Sequence, residues 1–299
     1  MLLRHLRYLL AVADHGNFTR AAQALHVSQP TLSQQIKQLE ASLGAELLDR
    51  SARSVQPTDA GAAYIEYARR VLRELEAGKR AIHDVKDLSR GTLRLGMTPT
   101  FMAYLVGPLL RDFLALYPKV QFEVFELSMI DIEARLADDT LDIAIAFAEG
   151  GNPDIQHVPL YVEKLGLAVG RDHPLFNRTE PLSLAELERV PLALLTPEFV
   201  TRTCIDDYYT THGIIPLVIV EANSVNAILE IVRHTGIATI LPEATALQDP
   251  TLRKIEWVQA PPQRTAALLR RKNGYQSTMS MEFEKLVKAK LSDTRSKPL

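Results

Sequence analysis

The first residues in this chain that could do chemistry lie on one short stretch near its start. Between residues 28 and 43, Leu32, Ile36, Leu39 and Leu43 recur at helical spacing. The positions between them are Gln29, Thr31, Ser33, Gln34, Lys37 and Gln38, and no acidic residue occurs before Glu40. Amides and hydroxyls of this kind pair with base edges or phosphate oxygens, and lysine adds charge. A helix face that only meets water usually mixes in Glu and Asp, so this face points to DNA. Ser28 and Pro30 open the same helix, Thr19 and Arg20 open the one before it, and Arg50 and Arg53 follow in a short segment at 47–58. Those two arginines suit phosphates or a minor groove; a plain connector would read the same way.

A second set of polar residues sits where strand-like runs give way to helical ones. Thr98 and Thr100 follow the first such strand with Phe101, Ser128 follows the second, and Phe147 ends the third. Further on, Thr196, Thr201 and Arg202 surround the start of one helix, and Asn223 and Ser224 open the next. Hydroxyls and free backbone N–H groups at such junctions favour an anion. Taken singly, each is also what an ordinary helix cap looks like; several converging on one cleft would be a ligand site. No nucleophile elbow, Gly-rich phosphate loop or paired-histidine spacing accompanies them, so neither an enzyme nor a metal or other cofactor is expected. Cys204 is the single cysteine, which excludes a disulfide framework and reads as a packing residue.

The elements that must position the first set are compact. Leu6, Leu9, Leu10 and Ala13 make an amphipathic helix over roughly 2–14, stopped by Gly16. A second helix starts near Thr19 and turns Ala21, Ala22 and Leu25 inward. His26-Val27-Ser28 then joins it to the third helix, which Gly44 ends. Two short helices, a three-residue link and a small residue at their crossing make a helix-turn-helix, provided His26 takes a positive φ. Residues 47–58 read as a hairpin wing, and Thr58 caps a long helix over 59–87. Its Tyr64, Ala68, Val71, Leu75, Gly78, Ile82 and Val85 alternate spacings of four and three, a coiled-coil seam that calls for a second copy of the chain.

From Gly91 onward strands and helices alternate, the pattern of an α/β architecture with a mostly parallel sheet. The strands are expected at 92–97, 121–127, 141–147, 165–170, 191–195, 216–221, 237–240 and 265–271, and the helices at 101–116, 131–138, 201–212, 224–234 and 275–291. The interrupted apolar run at the N-terminus is not that of a signal peptide, and no stretch is long enough to span a membrane, so a cytoplasmic location is expected. The formal net charge of −2 hides an uneven distribution. Residues 1–90 hold 13 Lys/Arg against 10 Asp/Glu, and residues 91–299 hold 21 against 26.

The ordered series Phe18-Thr19-Arg20-Ala21-Ala22, Leu25 to Ser33, Ile36 to Glu40, Leu43-Gly44, Leu47 to Ser51 and Thr58-Asp59-Ala60-Gly61 resembles the winged helix-turn-helix of LysR-type transcriptional regulators. Leu48 stands where the family usually has Phe, and Gln56-Pro57 replaces a polar–Leu pair. The resemblance implies an all-α winged helix-turn-helix N-terminal domain at 1–58 and a dimerising linker helix at 59–90. It also implies an α/β two-lobed, type 2 periplasmic-binding-protein-like domain at 91–299. Lobe I would hold 91–161 and 266–299, and lobe II 162–265. The implied partners are operator DNA, a small-molecule effector, a second copy forming a homodimer and then a tetramer, and RNA polymerase. Gly78 to Val85, Thr98 to Phe101, Ile143 to Ala148, Glu221 to Ser224 and Leu268 to Asn273 resemble a member of the family whose inducer is a small linear anion, cyanate. The alternative reading is a two-lobed binding protein or enzyme with an N-terminal helical oligomerisation module.

Overall fold

The computed structural model describes residues 3–51, 54–86 and 91–292. They fall into two compact units, residues 1–83 and 84–299. The first is built from α1 (Leu3–His15), α2 (Phe18–Ala24), α3 (Gln29–Leu43), β1 (Leu48–Asp49), β2 (Gln56–Pro57) and α4 (Asp59–Lys86). Leu9, Val12, Ala21, Ala22, Leu32, Ile36, Leu39 and Leu47 form its core, so the helical periodicity of the sequence becomes the buried face. Asn17, not Thr19, caps α2: its side chain accepts from the Thr19 and Arg20 N–H groups at 2.8 and 3.1 Å. His26 takes the turn at φ +54° and Gly44 ends α3 at φ +67°. β1 and β2 pair antiparallel as a short wing.

Thr58 locks the wing to α4. Its hydroxyl donates to the Glu46 carbonyl at 2.7 Å and accepts the Gly61 N–H at 3.0 Å. A Cβ on Gly61 would lie 1.8 Å from the Leu47 carbonyl oxygen, so only glycine lets the helix start so close to the wing. Along α4, Ala68 is buried and Tyr64 half-buried against this core, while Val71, Leu75 and Ile82 stay exposed. The side chain of Val85 lies outside those described.

In the second unit β3 (Thr92–Met97), α5 (Pro99–Tyr104), α6 (Val106–Leu116), β4 (Gln121–Glu126), α7 (Met129–Ala137) and β5 (Ile143–Phe147) form one βα series. β6 (Ile155–Gly170) leads to α8 (Leu184–Leu187), β7 (Pro191–Leu195), α9 (Val200–Thr211), β8 (Leu217–Ala222) and α10 (Val225–His234). β9 (Thr239–Pro242), α11 (Glu243–Gln248), β10 (Leu252–Ile255), β11 (Gln263–Arg271) and α12 (Thr278–Ser292) complete it. β3 pairs in parallel with β4 and β5, and β7 with β8. β11 runs antiparallel to β5 and β6, and β6 antiparallel to β9 and β10. The large sheet is therefore mixed, not mostly parallel, because β6 and β11 run antiparallel to the strands beside them, while β7 and β8 remain a parallel pair. β6 has 16 residues; its first half pairs with β11 and its second with β9 and β10, so one strand runs through both halves of the unit. The expected strand at 165–170 is only its end. Pro159 hid the remainder, and it fits beside an irregularity opposite Ala266 and Ala267.

The expected helix at 101–116 is two helices meeting at Leu105. Pro108 has no N–H to offer the carbonyl four residues back, so α6 begins afresh with Pro108 in its first turn. α8, α11 and β10 were not expected at all. Each half keeps its own core: Leu93, Leu95, Phe113, Ile145, Leu268 and Phe283 in one, and Leu167, Leu192, Ile205, Tyr209, Ile240 and Trp257 in the other.

Candidate nucleic-acid interface and ligand cavity

On α3 the buried Leu32, Ile36 and Leu39 fix the helix's rotation, so Pro30, Gln34 and Lys37 point directly away from the core. Thr31 and Gln38 flank that stripe on one side and the half-buried Ser33 on the other. Thr19, Arg20, Ser28, Gln29, Pro30, Thr31, Gln34 and Lys37 are all exposed. Ser28 caps the helix, its Oγ accepting the Thr31 N–H at 3.3 Å and lying 2.7 Å from Thr31 Oγ1. This cap leaves an unbroken polar surface free of carboxylates over the first three turns.

Glu40 closes that surface and is used internally. One carboxylate oxygen accepts the Leu47 and Leu48 N–H groups at 3.0 and 3.3 Å, and the other takes Arg50 Nη2 at 2.7 Å. The Arg50 guanidinium also lies over the Phe18 ring, 5.1 Å from its centroid. Arg50 thus braces the wing against α2 and α3. Arg53 lies outside the described residues. In the sequence Glu40 only ends an acid-free run; nothing local signals its bonds to the wing.

In the second unit a cavity of about 260 Å³ is lined by Thr98, Pro99, Thr100, Ser128, Met129, Ile130, Phe147, Glu198, Phe199, Val200 and Thr201. The structure therefore brings Thr98, Thr100, Ser128, Phe147 and Thr201 together. Phe101 is fully buried just behind, 5.2 Å from the Phe147 ring between centroids. Arg202 is not at the cavity: it binds Asp206 at 2.8 Å, the Leu195 carbonyl at 3.0 Å and Glu221 at 2.5 Å, tying α9 to β7 and β8. Asn223 is exposed elsewhere and Ser224 caps α10, accepting the Ala227 N–H at 3.3 Å. Thr196 is not among the residues that line the cavity.

The lining hydroxyls differ in what they do. Ser128 caps α7, accepting the Asp131 N–H at 3.1 Å and donating to the Asp131 carboxylate at 2.7 Å. Thr98 precedes α5 but makes no side-chain cap bond; its Oγ1 is buried and has no hydrogen-bond partner among the described residues. Thr100 and Thr201, also buried, both touch a residue the sequence did not reveal, Arg264 on β11. Its guanidinium donates to Thr201 Oγ1 at 2.5 Å and to Thr100 Oγ1 at 3.0 Å, and lies 4.1 Å from the Phe147 centroid.

Behind it, Arg264 meets Glu163 at 2.6 Å, a direct cross-strand pair of β11 and β6. Tyr104 donates to the same carboxylate and lies 2.7 Å from Tyr161, hydroxyl to hydroxyl. Burial above all, then the Glu163 charge, raises the Tyr104 phenol well above its ordinary value and keeps it a donor.

A helix whose outer face is free of carboxylates over its first three turns in one unit, and a two-halved α/β module with a small, largely apolar cavity edged by hydroxyls in the other, have the layout of a helix-turn-helix regulator with a sensor domain. Comparison with known proteins agrees. Residues 3–62 match the bacterial regulatory helix-turn-helix protein, lysR family, and residues 86–292 match the LysR substrate binding domain. The chain belongs to the LysR family of DNA-binding transcriptional regulators. It is 32% identical over 295 residues to the DNA-binding transcriptional dual regulator OxyR of Escherichia coli, covering 97% of this chain and 94% of that one. It is 37% identical over 195 residues to the hydrogen peroxide-inducible genes activator of Dickeya chrysanthemi, where the match spans 65% of this chain and 64% of that protein's length. Among solved structures it is similar to full-length CbnR complexed with its target DNA, with 28% identity and a TM-score of 0.58 over 97% of this chain and 99% of that one. A full-length OxyR variant from Pseudomonas aeruginosa gives 25% identity and a TM-score of 0.67 over 96% and 93%.

Proposed function

We propose that this protein is a sequence-specific transcriptional activator whose α3 reads an operator and whose cavity binds a small anionic effector, with cyanate the candidate. The observation that carries the sensor half is the Thr98 hydroxyl, buried without a partner in the wall of a cavity that Thr100 and Thr201 also line. A buried polar atom left unpaired costs free energy that a ligand can recover. The reading of the residues by domain goes with it: a DNA reader at 1–58, a dimerising helix at 59–90, and an effector-binding part at 91–299 in two lobes.

Dimers joined along α4 would set two recognition helices in successive major grooves, with half-sites about 34 Å apart or a multiple of that. Pairs of dimers would assemble as tetramers, and RNA polymerase would be contacted from the bent complex. An effector changes this arrangement only if it binds one form more tightly than the other. The relatives named for hydrogen peroxide raise a thiol-based response as another reading. Cys204 does not favour it: burial pushes its thiol up, away from the reactive thiolate such chemistry needs. Calorimetry on the full-length protein with sodium cyanate, sodium azide and a panel of carboxylates tests the effector. Saturable heat with the small anions, lost on Thr98→Val, is expected. No heat with any of them removes the anionic reading and leaves the family assignment untouched.

A further inference from the structure

The donors that face the cavity are set by a residue outside it. Arg264 does not line the cavity, yet it bonds Thr100 on α5 and Thr201 at the start of α9. A guanidinium only donates. Both threonine oxygens must therefore accept, and each hydroxyl proton has to point elsewhere. Among the described residues no acceptor takes either proton, and both residues line the cavity. A hydroxyl that accepts from a cation is polarised into a stronger donor.

We infer that Arg264 is a positioning residue: it turns Thr100 and Thr201 into oriented donors aimed into the cavity, which then selects small monoanions that only accept hydrogen bonds. The inference rests on reading this cavity as the effector site. Thr98, buried and unpartnered, supplies a third donor. The arginine charge itself is kept from the ligand. Glu163 partners it at 2.6 Å, and Phe147, which also lines the cavity, covers it at 4.1 Å. The ligand thus feels the cation through two hydroxyls rather than as an ion pair. Glu198, a carboxylate that also lines the cavity, opposes a second negative charge on the ligand. A ligand carrying its own N–H or O–H donors would meet the donors of Thr98, Thr100 and Thr201 and leave them unpaired.

The test uses full-length protein, sodium azide as probe, calorimetry for affinity and the azide infrared stretch as a report of the donors around it. Thr100→Val and Thr201→Val remove a hydroxyl at constant shape. Each is expected to weaken azide binding about tenfold in protein that still folds, with a modest fall in melting temperature because one buried Arg264 N–H loses its acceptor, and the double variant should weaken binding further. The bound azide band should move toward its position in a solvent without donors. Arg264→Lys, which keeps a positive charge against Glu163 but cannot span both threonines, should weaken azide binding in the wild-type background. In the Thr100→Val/Thr201→Val background it should change binding less than about twofold, because nothing is left for it to orient. Equal losses in both backgrounds overturn the positioning role. Val200→Trp, which fills the cavity, separates the two levels of the argument. Azide that binds the double threonine variant like the wild type but is lost on Val200→Trp overturns this inference and leaves the effector site standing. Azide and cyanate that bind the wild type not at all overturn both.

Discussion

The geometry of the side chains that α3 exposes is set by what caps and buries the helix beneath them. Gln34 and Lys37 point straight out because Leu32, Ile36 and Leu39 point in. Replacing Thr31, Ser33 and Gln34 with Ala removes the base-reading groups and touches no buried contact. Operator footprinting should be lost while the melting temperature and circular dichroism stay as they were; a normal footprint removes the recognition-helix assignment. A second residue-scale prediction concerns pH. His173 is buried, its Nδ1 accepting the Leu175 N–H at 3.1 Å, and burial lowers its pKa from the ordinary value. The folded chain therefore binds this proton less readily than the unfolded one, so its contribution is full above about pH 6.5 and is lost as pH falls below it. Melting temperature should decline between pH 7 and 5, and His173→Asn, which keeps an acceptor and does not titrate there, should flatten that decline. At this scale the sequence showed Thr98, Thr100 and Thr201 through their place at strand–helix junctions. It could not show Arg264, which lies 63 residues from Thr201 and 164 from Thr100 and meets them only through the sheet. Arg202 misled for the complementary reason: a basic residue at a helix start looks like an anion ligand until Asp206 and Glu221 are placed beside it.

Among the elements, the wing and the through-running strand carry the most specific expectations. Glu40 holds β1 by two backbone N–H groups and Arg50 by its guanidinium. Glu40→Ala leaves those donors unpaired and should cost about 1–3 kcal/mol, measured as a fall in the denaturant midpoint with weaker DNA binding. Glu163→Ala should cost more, about 3–5 kcal/mol, because it strands the buried Arg264 charge where β6 and β11 pair. The helices and short strands of the first unit were legible because their periodicity, caps and stops agree; Ser28, His26 and Gly44 each do what their residue type suggests. β6 was legible only at its end, since Pro159 reads as a break unless the irregularity opposite it is known. The split of α5 from α6 was written in Pro108, but the apolar run across it argued for continuity.

For the molecule as a whole, the proposed dimer rests on the seam of α4. Tyr64 and Ala68 are already covered within the first unit, which leaves Val71, Leu75 and Ile82 as the exposed part of the stripe. Val71→Glu with Leu75→Glu should give a monomer in sedimentation, with operator affinity reduced by far more than either contact is worth, because two half-sites no longer share one binding event. The modest charge of residues 1–90 makes this dependence strong: little non-specific attraction is available to hold a single reader on DNA. The measurement that reaches the central claim most directly is a footprint of the full-length protein on the DNA upstream of its own gene, with and without sodium cyanate. Protection is expected in both conditions, weakening steeply with salt, with a changed pattern when the anion is present. A footprint that is absent, or that no small anion alters while Thr98→Val and the wild type behave alike, would contradict that claim.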